Sequence, residues 1–254
     1  MKTDDEDEEF FIGWQAKQPA RMRQTTVRVV ILLAGLAAVA AILFGRAQRA
    51  PDLAFYEWTN IQTFEGIVRM APHPHLLVAR ENSGGFSAFP LVGPTKFGIA
   101  PEWCGNLDGK AVRIQGGTIH RSGGTMIEVT SEAPEALPDD RALPELRAPI
   151  DLGEHSLVGE IVDAKCYHGA MNPGRFKPHR ACATVCVSGG IPPMLVVDGV
   201  DGQSIALLLV GSHGEMLNSS VLPLLARPVR IEGRVTDDNG LLILRARTES
   251  IRPL

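Results

Sequence analysis

One long apolar run followed by many short ones organises this chain. Residues Val29 to Gly45, VVILLAGLAAVAAILFG, carry no charge and are bounded by Arg28 and Arg46. A helix that crosses a bilayer needs about 17 to 25 such residues, and the flanking arginine stems can reach the headgroups. A single transmembrane helix is therefore expected over 27–46. Beyond it the pattern changes to short β-branched runs broken by Gly and Pro, the signature of an all-β sandwich or barrel. Strands are expected near 64–70, 75–80, 86–92, 110–119 and 124–130, and again near 157–164, 194–198, 203–210, 227–236 and 240–248. A short helix or turn is expected within 215–225, with a more irregular piece at 96–107 in the matching place. The turns Ser122-Gly-Gly124 and Asp237-Asp-Asn-Gly240 supply the positive φ of tight hairpins.

The two strand series are copies of one unit. Phe64-Glu-Gly-Ile-Val reads like Val158-Gly-Glu-Ile-Val, Pro74-His-Leu-Leu-Val like Pro193-Met-Leu-Val-Val, and Ala111-Val-Arg-Ile-Gln-Gly like Pro228-Val-Arg-Ile-Glu-Gly. The offset between copies jumps by about 25 residues across one segment, which marks an insertion in the second copy. Five strands per copy predict small closed barrels, and the fold class expected is mostly β. An N-terminal transmembrane helix is followed by two tandem OB-like barrels, the second carrying a Cys/His-rich loop and helix. The expected boundaries are an acidic tail at 1–26, the span at 27–46, barrels at 52–131 and 152–254, a Pro- and Ala-rich linker at 132–151, and the insert at 166–190.

Charge sets the compartment. Lys17, Arg21, Arg23 and Arg28 precede the span while Arg46 and Arg49 follow it closely, so the positive-inside rule places the N-terminus in the cytoplasm and the barrels in the periplasm, on the inner membrane. The run Asp4 to Glu9 does not overturn this, since acidic residues contribute little to orientation. It does make the N-terminus a poor signal peptide, as does the sequence Arg46-Ala-Gln-Arg-Ala50. Phe10-Phe-Ile-Gly-Trp14 reads as a disordered or interfacial segment or as a docking peptide for a partner. A net charge of −4 and 6% aromatic residues exclude a nucleic-acid binder. The small residues Ala34-Gly-Leu-Ala-Ala38 are ordinary for such a helix and do not predict a dimer.

The chemistry sits in the insert, CYHGAMNPGRFKPHRACATVCVSGG, with three of the four cysteines. Pro178 suits a first helical turn and Gly189-Gly190 a C-terminal stop, which predicts a helix over 178–188. At 100° per residue His179, Cys182 and Cys186 share one face. The Gly- and Pro-rich loop 169–174 can bring Cys166 to it. A metal site of Cys166, His179, Cys182 and Cys186 follows, a Cys3His set suited to zinc, copper(I) or part of an iron–sulfur site. Haem enters only by analogy of layout, an anchor followed by a periplasmic barrel. The spacing is that of neither a zinc ribbon nor a dinuclear copper loop, and Cys-x-x-Cys-His is absent.

An even number of cysteines in an oxidising compartment also predicts disulfides, Cys166 with Cys182 or Cys186, stapling the loop. Cys104 is either a free buried thiol or a partner for the insert. A third reading is a redox-active thiol pair, with Lys177, Arg180 and the helix N-terminus favouring thiolate, foremost at Cys182. His168 and Met171 are expected to be loop packing or solvent residues rather than further ligands of a soft-metal site, and His73-Pro-His75 a surface turn rather than half of a metal site.

No catalytic triad, carboxylate pair or phosphate loop is present, and an enzyme is not expected. The expected function is a membrane-anchored periplasmic accessory protein of a redox or assembly system, with a membrane-complex protein as partner. The alternatives are an interaction protein with a disulfide-stapled binding loop and a thiol–disulfide redox protein.

Overall fold

The computed structural model describes residues 18–47, 53–80, 84–121, 124–138, 146–200 and 202–254. The Phe10 to Trp14 cluster, the acidic run, Arg49, residues 122–123 of the first hairpin turn and 139–145 of the expected linker lie outside them. The chain divides into two units, Met1–Pro51 and Asp52–Leu254. In the first, helix α1 runs Ala20–Ala47, starting before the expected span and taking in Arg21, Arg23 and Arg28. None of its side chains is buried, and its apolar window has a mean hydropathy of 2.7. By length and composition it suits a membrane anchor or a signal sequence.

The second unit holds two five-stranded mixed barrels. In the first, β1 (Ala54–Tyr56) is an extra edge strand on the barrel of β2 (Gln62–Arg69), β3 (His75–Ala79), β4 (Phe86–Val92), β5 (Ala111–Arg121) and β6 (Gly124–Val129), and β7 (Glu135–Ala136) is a second addition to β5. The order is β5–β2–β3–β4–β6, closed by β6 on β5. All pairs are antiparallel except β4 with β6.

The second barrel repeats this with β8 (Ile150–Asp163), β9 (Pro193–Asp198), β10 (Ser204–Gly211), β11 (Pro228–Asp238) and β12 (Leu241–Ala246), where β10 and β12 are the parallel pair, and β13 (Arg252–Pro253) adds to β11. Each barrel closes by having one strand serve two neighbours. Gly116 marks the place in β5, because a Cβ there would lie 2.4 Å from the Glu128 carbonyl oxygen, and Gly233 does the same in β11 at 2.3 Å from that of Arg245. This is the physical content of the matched Ile-Gln-Gly and Ile-Glu-Gly segments.

Register corrects one part of the repeat. Val112 pairs with Gly66 and Val229 with Gly159, so Gly66 corresponds to Gly159 and the first strands align one residue away from the match of Ile-Val with Ile-Val. A one-residue slip exchanges the two faces of a strand. In the true register Val68 and Ile161, both fully buried, are equivalent core residues.

Val68, Leu76, Leu91, Ile114 and Ile127 fill the first barrel, and Ile161, Leu195, Leu209, Ile231 and Leu244 the second. A third cluster belongs to both: Val92, Ile119 and Met126 of the first barrel pack with Val162, Tyr167, Cys186, Ile191 and Met194 of the second. At about 1.5 to 3 kcal/mol for each large apolar side chain buried, this shared core joins the barrels firmly. A short helix, Asn218–Val221, covers the second barrel between β10 and β11, with Val221 in its core. The ends of the expected linker are paired in the sheets, as β7 and as the start of β8 at Ile150.

Candidate metal centre

The insert leaves the end of β8 and returns at β9. Its first residues form a single π turn, Cys166–Ala170. After the loop, a 3-10 turn at Lys177–His179, which holds Pro178, leads into helix α2, Arg180–Ser188, two residues later than the expected start. The covering helix α3 spans Asn218–Val221, and Asn218 donates from Nδ2 to the carbonyls of Val187 and Ile191, tying the end of α2 to the barrel.

Cys166, His179 and Cys182 each offer a ligand atom, and these atoms all lie within 4.8 Å of one another. A second trio with the same property joins Cys166 and Cys186 to Asp163. The four residues selected from the sequence thus fall into two trios that share Cys166, with His179 and Cys182 on one side and Cys186 and Asp163 on the other. The sulfurs of Cys166 and Cys182 are 3.9 Å apart. A tetrahedral zinc with Zn–S bonds of about 2.3 Å has a sulfur–sulfur edge of roughly 3.8 Å.

Asp163, the last residue of β8, organises the group. Its carboxylate is fully buried, takes the Cys166 backbone N–H at 2.8 Å on one oxygen and faces His179 Nε2 at 2.7 Å with the other. A carboxylate accepts, so Nε2 carries a proton, and the neutral ring has its lone pair on Nδ1. That Nδ1 is buried and has no protein partner. Metal-bound histidines are commonly held this way, one nitrogen on a carboxylate and the other free for the ion.

All four cysteines are free thiols, so the expected staple of Cys166 to Cys182 or Cys186 is not formed. Cys104 is buried in the core of the first barrel, among Val68, Leu91 and Val112, away from the insert, and burial raises its pKa. Cys186 is lowered to about 7, first because it accepts the Cys166 thiol, and further by Lys96. The same hydrogen bond and burial hold Cys166 well above the ordinary thiol range.

The cation at the thiols comes from the first barrel. Lys96 Nζ lies 2.8 Å from the Cys182 sulfur and 3.9 Å from that of Cys186. Its pKa is raised by the bond to Cys182. Arg180, expected to play this part, instead donates to the Pro223 carbonyl at 3.2 Å. Buried Lys165 sets the loop that carries Lys96, donating to the carbonyls of Gly93 at 2.9 Å and Thr95 at 2.7 Å while paired with Glu128. Gly189 has a second role beyond ending α2: its carbonyl accepts Gly98 N–H at 2.9 Å, and a Cβ on it would lie 2.2 Å from Lys96 O.

The loop 166–176 is clamped from the first barrel as well. Arg121 donates to the carbonyls of Tyr167 at 2.5 Å and Pro173 at 3.0 Å and to Asn172 Oδ1 at 3.3 Å, with its guanidinium 4.8 Å from the Tyr167 ring centre. His168 is buried with Nδ1 2.7 Å from Ala164 O, and Met171 is 43% exposed, so neither joins the thiols. His73 and His75 are not in a surface turn: they are 1% and 2% exposed.

No protein-family model matches the chain, and comparison with curated proteins finds no match. The donor set itself therefore carries the chemical reading. Cys166, Cys182 and the oriented imidazole of His179, partly buried between two barrels and with Cys186 and Asp163 grouped about the same Cys166, form a candidate site for a thiophilic ion.

Proposed function

We propose that this chain is a single-pass inner-membrane protein that holds one thiophilic closed-shell ion, zinc or copper(I), through Cys166, Cys182, Cys186 and Nδ1 of His179, in the periplasm. The observation that carries the proposal is the state of His179, its Nε2 occupied by Asp163 and its Nδ1 buried without a partner in the residue group formed with Cys166 and Cys182. Asp163 acts as the orienting carboxylate and Lys96 as a counter-charge at the exposed side.

In this reading 27–46 is the membrane span, with the N-terminus cytoplasmic, and 52–131 and 152–254 are OB-like barrels joined by 132–151. Support for the OB-like assignment is the strand order, first–second–third–fifth–fourth and back to the first, with the third and fifth parallel. The role is that of an accessory component that keeps a bound ion beside a membrane redox or assembly complex, whose protein is the partner. Tethering by the helix and the half-buried Cys182 support an ion site reached from the surface.

The test is elemental analysis with thiol counting on the full chain purified from membranes in detergent. About one zinc or copper per chain, lost in Cys182→Ala and in His179→Ala, is expected. A metal-free chain in which Cys166 and Cys182 have become a disulfide would overturn the reading in favour of thiol–disulfide exchange.

A further inference from the structure

The connection between the first two strands carries the insert in the second barrel, β8 to β9, and in the first barrel the same connection, β2 to β3, carries His73 and ends at His75, the first residue of β3. The equivalence is set by register, since Val68 faces Leu76 and Ile161 faces Leu195. Both imidazoles are buried, and three of their four nitrogens, His73 Nδ1 and Nε2 and His75 Nε2, have no partner in the protein. His75 Nδ1 lies 2.8 Å from the His73 carbonyl. A carbonyl only accepts, so Nδ1 holds the proton and Nε2 presents its lone pair. This is the histidine state that binds metals, and it matches that of His179, with a backbone carbonyl in place of the carboxylate.

The surroundings fit a small positive charge. Asp238 and Asp108 favour a positive charge at His75, and Arg69 opposes it. Two imidazoles satisfy copper(I), which accepts two ligands, whereas zinc requires four and calcium takes oxygen.

We propose that His73 and His75 form a second metal site, specific for copper(I), bound by Nε2 of His75 and a ring nitrogen of His73. The duplicated unit then carries a metal site in the same strand connection of each barrel, imidazole in the first and thiolate-rich in the second. This inference does not depend on the thiol site, because its residues and its test are separate.

The test titrates the full chain in detergent, anaerobically, with copper(I) against a chromogenic copper(I) chelator. The expected result is that His73→Gln and His75→Gln each remove one equivalent while the thiol-dependent equivalent stays, and that Cys166, Cys182 and Cys186→Ser together leave the histidine-dependent one. Should the triple variant fail to fold, X-ray absorption on the copper-loaded wild type replaces it: a nitrogen-only copper population must be present and must vanish in His75→Gln. Equal stoichiometry in the wild type and both histidine variants would overturn the proposal and leave water as the partner of those nitrogens. A wild type that binds only the histidine-dependent equivalent would count against the first site only.

Discussion

Replacing Asp163 by Asn keeps the shape of the group that orients the thiol site and removes its charge. The carboxylate now accepts two bonds, from Cys166 N–H at 2.8 Å and from His179 Nε2–H at 2.7 Å. An amide has one oxygen and one NH2, so one of the two donors must face another donor. If the oxygen keeps Cys166, the NH2 drives the imidazole to the opposite tautomer, with a proton on Nδ1, the atom assigned to the ion. The lost charge-assisted bond is worth about 1.5 to 3 kcal/mol. Loss of an outer carboxylate partner lowers metal affinity about 10- to 100-fold, or roughly 1.4 to 2.7 kcal/mol, and the two ranges agree. Chelator competition with zinc on the full chain measures it, with circular dichroism to confirm the fold. A folded Asp163→Asn protein that binds zinc within about threefold of the wild type, far inside that range, would refute the argument that this carboxylate sets the histidine.

Gly189→Ala forces a Cβ to within 2.2 Å of Lys96 O and disturbs the Gly98 to Gly189 bond, so chemical denaturation should show a loss of roughly 2 to 4 kcal/mol; an unchanged midpoint would mean that the barrels do not meet there. Arg121→Met strips two carbonyls and the Asn172 amide of their donor, and limited proteolysis should become faster within 169–175, with stability down by about 2 to 4 kcal/mol. Acid should weaken the metal-free chain. His73 has its folded pKa near 4, below the ordinary 6.5, so the unfolded chain binds the proton first and stability falls from about pH 6.5 down to 4, by at most roughly 3 kcal/mol from this residue. Denaturation midpoints in chelator at pH 7, 5.5 and 4 check this, and His73→Gln should flatten the slope.

The strands were legible because short β-branched runs between Gly and Pro leave little else for the chain to do, and Gly116 and Gly233 sit where barrel closure demands them. The slip between Phe64-Glu-Gly and Val158-Gly-Glu came from matching Ile-Val by letter, when the faces of β2 and β8 are set by their partners in β5 and β11. Helical spacing singled out His179, Cys182 and Cys186, although His179 lies in the 3-10 turn before α2 and Cys186 falls in the second trio. Asp163 had no such signal, being a lone carboxylate at a strand end whose role exists only once the chain turns at Cys166. Lys96 lies 86 residues before Cys182 and reaches it from the other barrel, which no local pattern records. His73 and His75 read as a turn because of the prolines beside them. Their burial comes from tertiary packing, with Asp238 of the second barrel near enough to act on His75.

The measurement that tests the thiol site most directly is the visible and near-ultraviolet spectrum of the full chain loaded with one equivalent of cobalt(II), which takes up zinc geometry and reports its ligands. Three thiolates and one imidazole predict intense tetrahedral d–d bands and strong sulfur-to-cobalt charge transfer. Cys166→Ser, Cys182→Ser and Cys186→Ser should each remove one thiolate's share, and Cys104→Ser none. Weak octahedral bands without sulfur charge transfer, or a spectrum indifferent to those three substitutions, would contradict the account.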